Sequence, residues 1–218
     1  MGRPSQPLLS RAIIARAALE LLNEEGPDAL KMRSLADRLG VRGASLYHHV
    51  ASKEDLLDAA SELLNEEIDL GPLQDPRWRR GIAEYARGYR RVYLQHPHMI
   101  ALVARRRVEA ERALRSYDAL LAALVRAGCT PAGAAEAAAA LDYLVLGSAL
   151  ETFTAGFTRA PGDYRPGYPA LADSLEATRT GPGGLAGLDD RGFELGLRLV
   201  LDGLAAQLGG TRDAEETL

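Results

Sequence analysis

"SLADRLGVRGASLYHHV", Ser34–Val50, is the stretch on which the reading of the whole chain turns. Leu35, Ala36 and Leu39 recur at helical spacing, and Gly40 ends that helix because glycine tolerates positive φ. Ala36 is small where two helices must approach, and Val41 plugs the turn between them. Leu46 and Val50, four apart, share one face of a second short helix that begins near Gly43 or Ala44. Gly43, Ala44, Ser45, Tyr47, His48 and His49 are left to project outward or onto the rim. That is the grammar of a helix-turn-helix, whose second helix offers such residues to base edges and phosphates in the major groove. Taken alone, the same pattern also suits an ordinary buried helix pair. His48 and His49 make a poor metal site, because neighbours on a helix diverge by about 100°.

The flanks extend the pattern. "SRAIIARAALELLNEEG" reads as a helix capped by Ser10 and stopped at Gly26-Pro27. After Val50, Ser52 followed by Asp55 three residues on is close to a capping box, and its helix reaches about Ile68. Lys53 at the start of that helix suits a phosphate contact. Gly71–Pro76 is a breaker cluster and the expected boundary, which divides the chain into a flexible arm (1–9), a helix-turn-helix domain (10–70) and an effector-binding and dimerisation domain (71–218). Helical patterns then run over about 77–95, 106–128, 131–157 and 188–208, with a short element near His98–Ala104. The Gly/Pro-rich segment Thr158–Asp189 is too long for a simple connection, and predicts a mobile loop around a short helix, Ala170–Ala177.

Composition agrees with an all-α chain. Apolar residues make up 47%, many of them Ala and Leu, while aromatics are only 6%, which disfavours strands. The net charge of −4 excludes a generic polycation but not a local basic face. Lys31 and Lys53, the only lysines, both flank the opening stretch. The single Cys129 allows no internal disulfide or cysteine-based metal cluster. No apolar signal core or run of 18 apolar residues is read, so a cytoplasmic protein with no membrane partner is expected.

Residues 18–59, "ALELLNEEGPDALKMRSLADRLGVRGASLYHHVASKEDLLDA", resemble the DNA-binding domain of the TetR family of bacterial regulators. The pattern G-V-x-x-x-x-L-Y-x-H-V-x-x-K-x-x-L, Gly40–Leu56, carries the resemblance. "HPHMIALVARR", "ALDYLVLGSALE" and "RGFELGLRLVLDGL" extend it more weakly to the C-terminal domain of the tetracycline-repressor subgroup. The resemblance implies a ligand-responsive repressor, homodimeric on a palindromic operator and released by a small-molecule effector, with no cofactor. Tyr47 and His49 then meet phosphate or base edges, Lys53 meets phosphate and His48 packs on the rim. Arg33 falls where an arginine reaches a base. Gly43 and Ala44 stand where the tetracycline repressor has larger polar side chains, which implies a different operator.

In the second part, Tyr85, Tyr89 and Tyr93 form a stripe whose default role is core; by resemblance Tyr85 and Tyr89 line the effector pocket. His96-Pro97-His98 is an incomplete metal site. By resemblance Val103 replaces a histidine that serves a magnesium-bound drug, while Glu151 keeps the matching glutamate, so a tetracycline–magnesium effector is not expected. The candidate ligand-binding set is Tyr85, Tyr89, His96, Val103, Tyr143 and Glu151. Arg105–Arg107 suggests a solvated helix start or hinge. Phe193, Leu197, Val200, Leu201, Leu204 and Leu208 share a face, and with Gly147, Ala149 and Gly203 they suggest a four-helix dimer interface. No nucleophile elbow, phosphate loop or zinc-ligand spacing supports an enzyme. A protein-binding adaptor is the other alternative, to be separated by the salt dependence of binding.

Overall fold

The computed structural model describes residues 9–103, 110–150 and 152–215, and among these there is no strand. The helices are α1 (Arg11–Glu25), α2 (Met32–Leu39), α3 (Gly43–Tyr47), α4 (Lys53–Glu67), α5 (Trp78–Gln95), α6 (Pro97–Val103), α7 (Glu111–Arg126), α8 (Pro131–Leu150), α9 (Pro161–Tyr164), α10 (Pro169–Thr180) and α11 (Leu188–Glu215).

α1 to α4 form the head. Ser10 caps α1 by accepting from the Ile13 amide at 3.3 Å. Leu22, Leu35, Leu46, Val50 and Leu56 are fully or almost fully buried at its centre. Ala36 on α2 is buried in the same core. Gly40 takes φ +66°, and the amides of Gly40 and Val41 satisfy the Asp37 and Ala36 carbonyls at 3.1 and 3.0 Å. Arg38 holds α2 to α1 through a two-pronged bond to Glu24 at 2.8 Å on each side, with Glu20 at 3.5 Å. Arg11 pairs with Asp55, tying the start of α1 to the start of α4.

The body packs α8 against α5, α7 and α11. α8 is apolar on nearly every side and, by length and composition alone, could cross a bilayer. Here Ala134, Ala138, Leu141 and Val145 are buried in the common core. Gly196 lets α11 come close to α8: a Cβ there would lie 2.8 Å from Leu144 Cδ1. Arg87 donates to both oxygens of Glu194 at 2.7 Å, and Arg79 pairs with Asp202, fixing α5 to α11. Arg90, only 7% exposed, bonds Ser148 and Asp190 and lies 4.7 Å from the centre of the Phe193 ring.

Three expectations change. The helix expected over 131–157 stops at Leu150, and a 3-10 turn, Phe153–Gly156, replaces its end; Asp189 accepts from the Phe153 amide and the Thr154 hydroxyl. In the segment 158–189 the expected short helix is present as α10, but the residues around it are packed rather than a loose loop. α9 and α10 bury Tyr164, Ala172 and Leu175 in a small cluster of their own, and Arg191 secures the Pro182 and Gly184 carbonyls. Lastly, Phe193, Leu197 and Leu201 face inward onto the body's own core, so the face of α11 named for dimerisation is used within the chain. Gly147 and Gly203 have open space above them, and within the chain Gly196 is the α11 glycine that meets α8.

Candidate DNA-binding face and effector cavity

α3 is anchored by Leu46 and, just after its end, by Val50, both at zero exposure. A short helix pinned on one side must present its other side. Ala44, Tyr47, His48 and His49 are exposed, and Gly43 and Ser45 are partly so. Tyr47 keeps 54% of its surface in solvent. Arg33 on the first turn of α2 and Lys53 at the first position of α4 are exposed as well. None of Arg33, Tyr47, His48, His49 and Lys53 makes a side-chain hydrogen bond or ion pair with another described residue. The start of α4 is set rigidly. Ser52 Oγ accepts from the Asp55 amide at 3.1 Å, and Asp55 Oδ2 accepts from the Ala51 amide at 2.7 Å. The Arg11 guanidinium, with that amide, holds the Asp55 carboxyl below the usual range.

At its other end α4 enters the body. Asn65 and Ile68 line a cavity with Tyr85 and Tyr89 of α5, Ser116 and Tyr117 of α7, and Asp142 and Val145 of α8. Tyr89 donates to Asp142 Oδ1 at 2.9 Å, and Tyr117 to Oδ2 at 3.5 Å. Tyr85 Oη and Ser116 Oγ share a hydrogen bond at 3.1 Å. The rings of Tyr85 and Tyr89 lie 5.9 Å apart, and those of Tyr89 and Tyr93 5.3 Å apart. Burial pushes the Asp142 carboxyl up, against the lowering effect of the two phenols. Burial, then the Asp142 charge, raises Tyr89 and Tyr117. Tyr93 lies in the core beside the cavity, pushed up to about 12 by burial first and Asp142 second. The free space is about 20 Å³, room for little more than a water molecule. Anything larger must part the side chains.

The structure sorts the expected ligand set. Tyr85 and Tyr89 line the cavity together. Tyr143 does not: it is 76% exposed, because one residue along α8 from Asp142 is a turn of about 100°. His96 does not either. It ends α5 before Pro97 and turns to the head, where its Nδ1 meets Asn23 Nδ2 at 2.9 Å and its Nε2 lies 3.9 Å from Glu67. Burial lowers the His96 pKa, and Glu67 partly opposes this. Glu151, the Val103 side chain and Arg105–Arg107 lie outside the described residues. Sequence reasoning misses Asp142, Ser116 and Asn65. A signal for Asp142 exists in the sequence: a carboxylate in an apolar helix must face a partner or a cavity.

Two family models match the chain. That of the bacterial regulatory proteins of the tetR family covers residues 14–60, and that of the tetracyclin repressor-like C-terminal domain covers 71–208. The chain belongs to the TetR family. An HTH-type transcriptional regulator of Saccharopolyspora erythraea is 35% identical over 215 residues, covering 94% of this chain and 88% of its own. The class A tetracycline repressor from transposon 1721 of Escherichia coli is 34% identical over 209 residues, covering 93% of each. The apo structure of ActR from Streptomyces coelicolor superposes with a TM-score of 0.77 at 27% identity, covering 95% of this chain and all of that one. ActR has also been solved in complex with actinorhodin. As a TetR-family protein the chain is a ligand-responsive, DNA-binding transcriptional repressor with a helix-turn-helix head and a helical ligand-binding body.

Proposed function

We propose that the protein acts as a homodimer on a palindromic operator in the cytoplasm, reads DNA with α3, and lets go when a small molecule occupies the Tyr85–Tyr89–Asp142 cavity. The division into an arm (1–9), a head (10–70) and a body (71–218) belongs to this reading. Arg33 reads a base, Tyr47 and His49 meet phosphate or base edges, and Lys53 meets phosphate. The observation that carries it is the bare outer side of α3 beside an exposed Lys53, above a fully buried Leu46 and Val50. Gly43 and Ala44 leave the N-terminal end of α3 without polar side chains, so base recognition there falls to shape and to methyl contact by Ala44.

α4 supplies the link between the sites. Its first residue is Lys53, while Asn65 and the residue after its end, Ile68, line the cavity, about 20 Å further along the axis. Arg112 of α7 also donates to the Asn65 carbonyl at 3.3 Å. A ligand that forces the contracted cavity apart must displace α4 relative to α5, α7 or α8. The ligand then favours the state in which the two Lys53–α3 edges no longer match successive major grooves.

The outer faces of α8 and α11 provide the dimer contact. Tyr143, Leu150, Leu195 and Leu199 are exposed, and Tyr143 borders an open apolar groove of about 490 Å³ that runs past Gly147 and Gly192. Selection of bound sequences from random duplexes tests the reading. It is expected to return an inverted repeat with half-sites one helical turn apart, about 34–36 Å, and binding that weakens steeply with salt. Recovery of no sequence, or of sites without two-fold symmetry, would overturn it.

A further inference from the structure

The polar centre of the cavity is a single carboxylate between phenols. Tyr89 and Tyr117 each donate to one oxygen of Asp142, and Tyr85 stands beside them with its hydroxyl turned to Ser116. Among the described residues no cationic side chain pairs with Asp142. Arg90 lies one position after Tyr89 but turns away, to Ser148, Asp190 and the Phe193 ring. Arg112 is committed to the Asn65 carbonyl at the α4 edge. Apart from Asn65, whose side-chain amide donates to the Ser61 carbonyl, the remaining wall is apolar: Ile68, Ala86, Ala113, Leu120, Leu141 and Val145. The site is therefore negative through its carboxylate and walled by three aromatic rings, whose π faces can take a cation. Burial pushes the Asp142 carboxyl up, and among the described residues only the two phenols oppose it, with no cation beside them.

We infer that the cavity takes an organic cation, a protonated amine or quaternary ammonium carried on an apolar or aromatic body, with Asp142 as its counter-ion and Tyr85, Tyr89 and Tyr117 as its walls. The inference rests on the cavity being the effector site. A cation gains an ion pair in a desolvated setting and ring faces to lie against. A neutral molecule of the same shape gains only burial, and an anion meets repulsion. Because the free space is about 20 Å³, entry also requires the rings to part. The Tyr117 contact at 3.5 Å is the longer of the two on Asp142.

Three probes of one shape and different charge test this: phenethylamine, phenethyl alcohol and phenylacetate, titrated calorimetrically into the full chain at neutral pH. Phenethylamine, protonated there, is expected to bind at least about tenfold more tightly than the alcohol, with phenylacetate the weakest. D142N is expected to reduce the preference for the amine over the alcohol to near unity, whereas Y89F, which keeps the ring, is expected to retain it. Alcohol or carboxylate binding as tight as the amine in the wild-type chain overturns the inference, and so does absence of amine binding. A folded D142N with the full preference overturns it too. The wild-type comparison decides the matter if D142N does not fold. Operator binding is measured on the same preparation. A chain that holds an operator and shows no preference for the cation sinks this inference alone, while one that holds no operator sinks the regulator reading.

Discussion

Tyr47 exposes 54% of its surface on a helix of five residues, and its neighbour in function, Lys53, has no acidic partner among the described residues. Truncating either leaves the core intact, so stability is expected to change by less than about 0.5 kcal/mol. Operator affinity is expected to fall instead. Lys53→Ala should weaken binding by similar factors on all sequences and lower the salt slope by about one for each phosphate it ceases to neutralise. Tyr47→Ala should weaken it as well. Unchanged affinity with either variant, read by fluorescence anisotropy across a salt series, would take that side chain out of the DNA interface. Asp142 is the opposite kind of residue, half-buried at the cavity with its charged form disfavoured by burial. Its folded-state pKa is raised above the unfolded value of about 3.9. Below that value both states hold the proton and there is no penalty. As pH rises the unfolded chain loses its proton first, so stability declines until the folded carboxyl ionises too. Asp142→Asn cannot ionise. Its stability relative to wild type is therefore expected to rise between about pH 4 and neutrality, as measured by urea unfolding. A difference that is flat with pH would show that the carboxylate is adequately solvated.

The turn between α2 and α3 shows what an element asks of one residue. Gly40 at φ +66° lets the Gly40 and Val41 amides close the end of α2, which sets the angle at which α3 leaves. Gly40→Ala is expected to cost about 1–2 kcal/mol, because a Cβ is strained in the left-handed region even though the space around it is open. Gly40→Asn should cost less, since asparagine tolerates that region. Thermal unfolding of the two variants checks the order, and equal losses would mean that the conformation is not what the glycine supplies. Such local logic explains why the head is legible from sequence. Ser10, Gly40 and Ser52 act within a few residues of themselves, and Leu46 and Val50 need only helical periodicity. The body is less legible for equally physical reasons. α8 is apolar all round, so its pattern has no phase, and one residue of phase separates Asp142, which lines the cavity, from the exposed Tyr143. The 3-10 turn that follows it is held by Asp189, which accepts from Phe153 and Thr154 some 35 residues earlier in the chain. His96 reads as a ligand group in the sequence, but its partner Asn23 lies on α1, a contact that no spacing rule anticipates.

At the scale of the molecule, the phase of α11 settles which side is free. Phe193, Leu197 and Leu201 face the core, which leaves Leu195 and Leu199 outside at 47% and 62% exposure. Tyr143 and Leu150 of α8 are exposed too, and the buried Arg90 braces Ser148 on α8 and Asp190 and Phe193 on α11 from beneath. A regulator that reads two half-sites needs a contact between protomers that outlasts each single-site encounter, and such contacts commonly bury more than about 1,000 Å². Leu199→Glu puts a charge in that surface without touching the core of its own chain. In sedimentation the wild type is expected to run as a dimer at micromolar concentration and the variant as a monomer, with unchanged helical circular dichroism. Breaking the link turns binding at the second half-site from an intramolecular into a bimolecular event, so operator affinity should drop by about 10²-fold or more. A Leu199→Glu chain that remains dimeric and binds its operator as before would move the protomer interface away from α8 and α11. The bare faces of those helices would then need another partner.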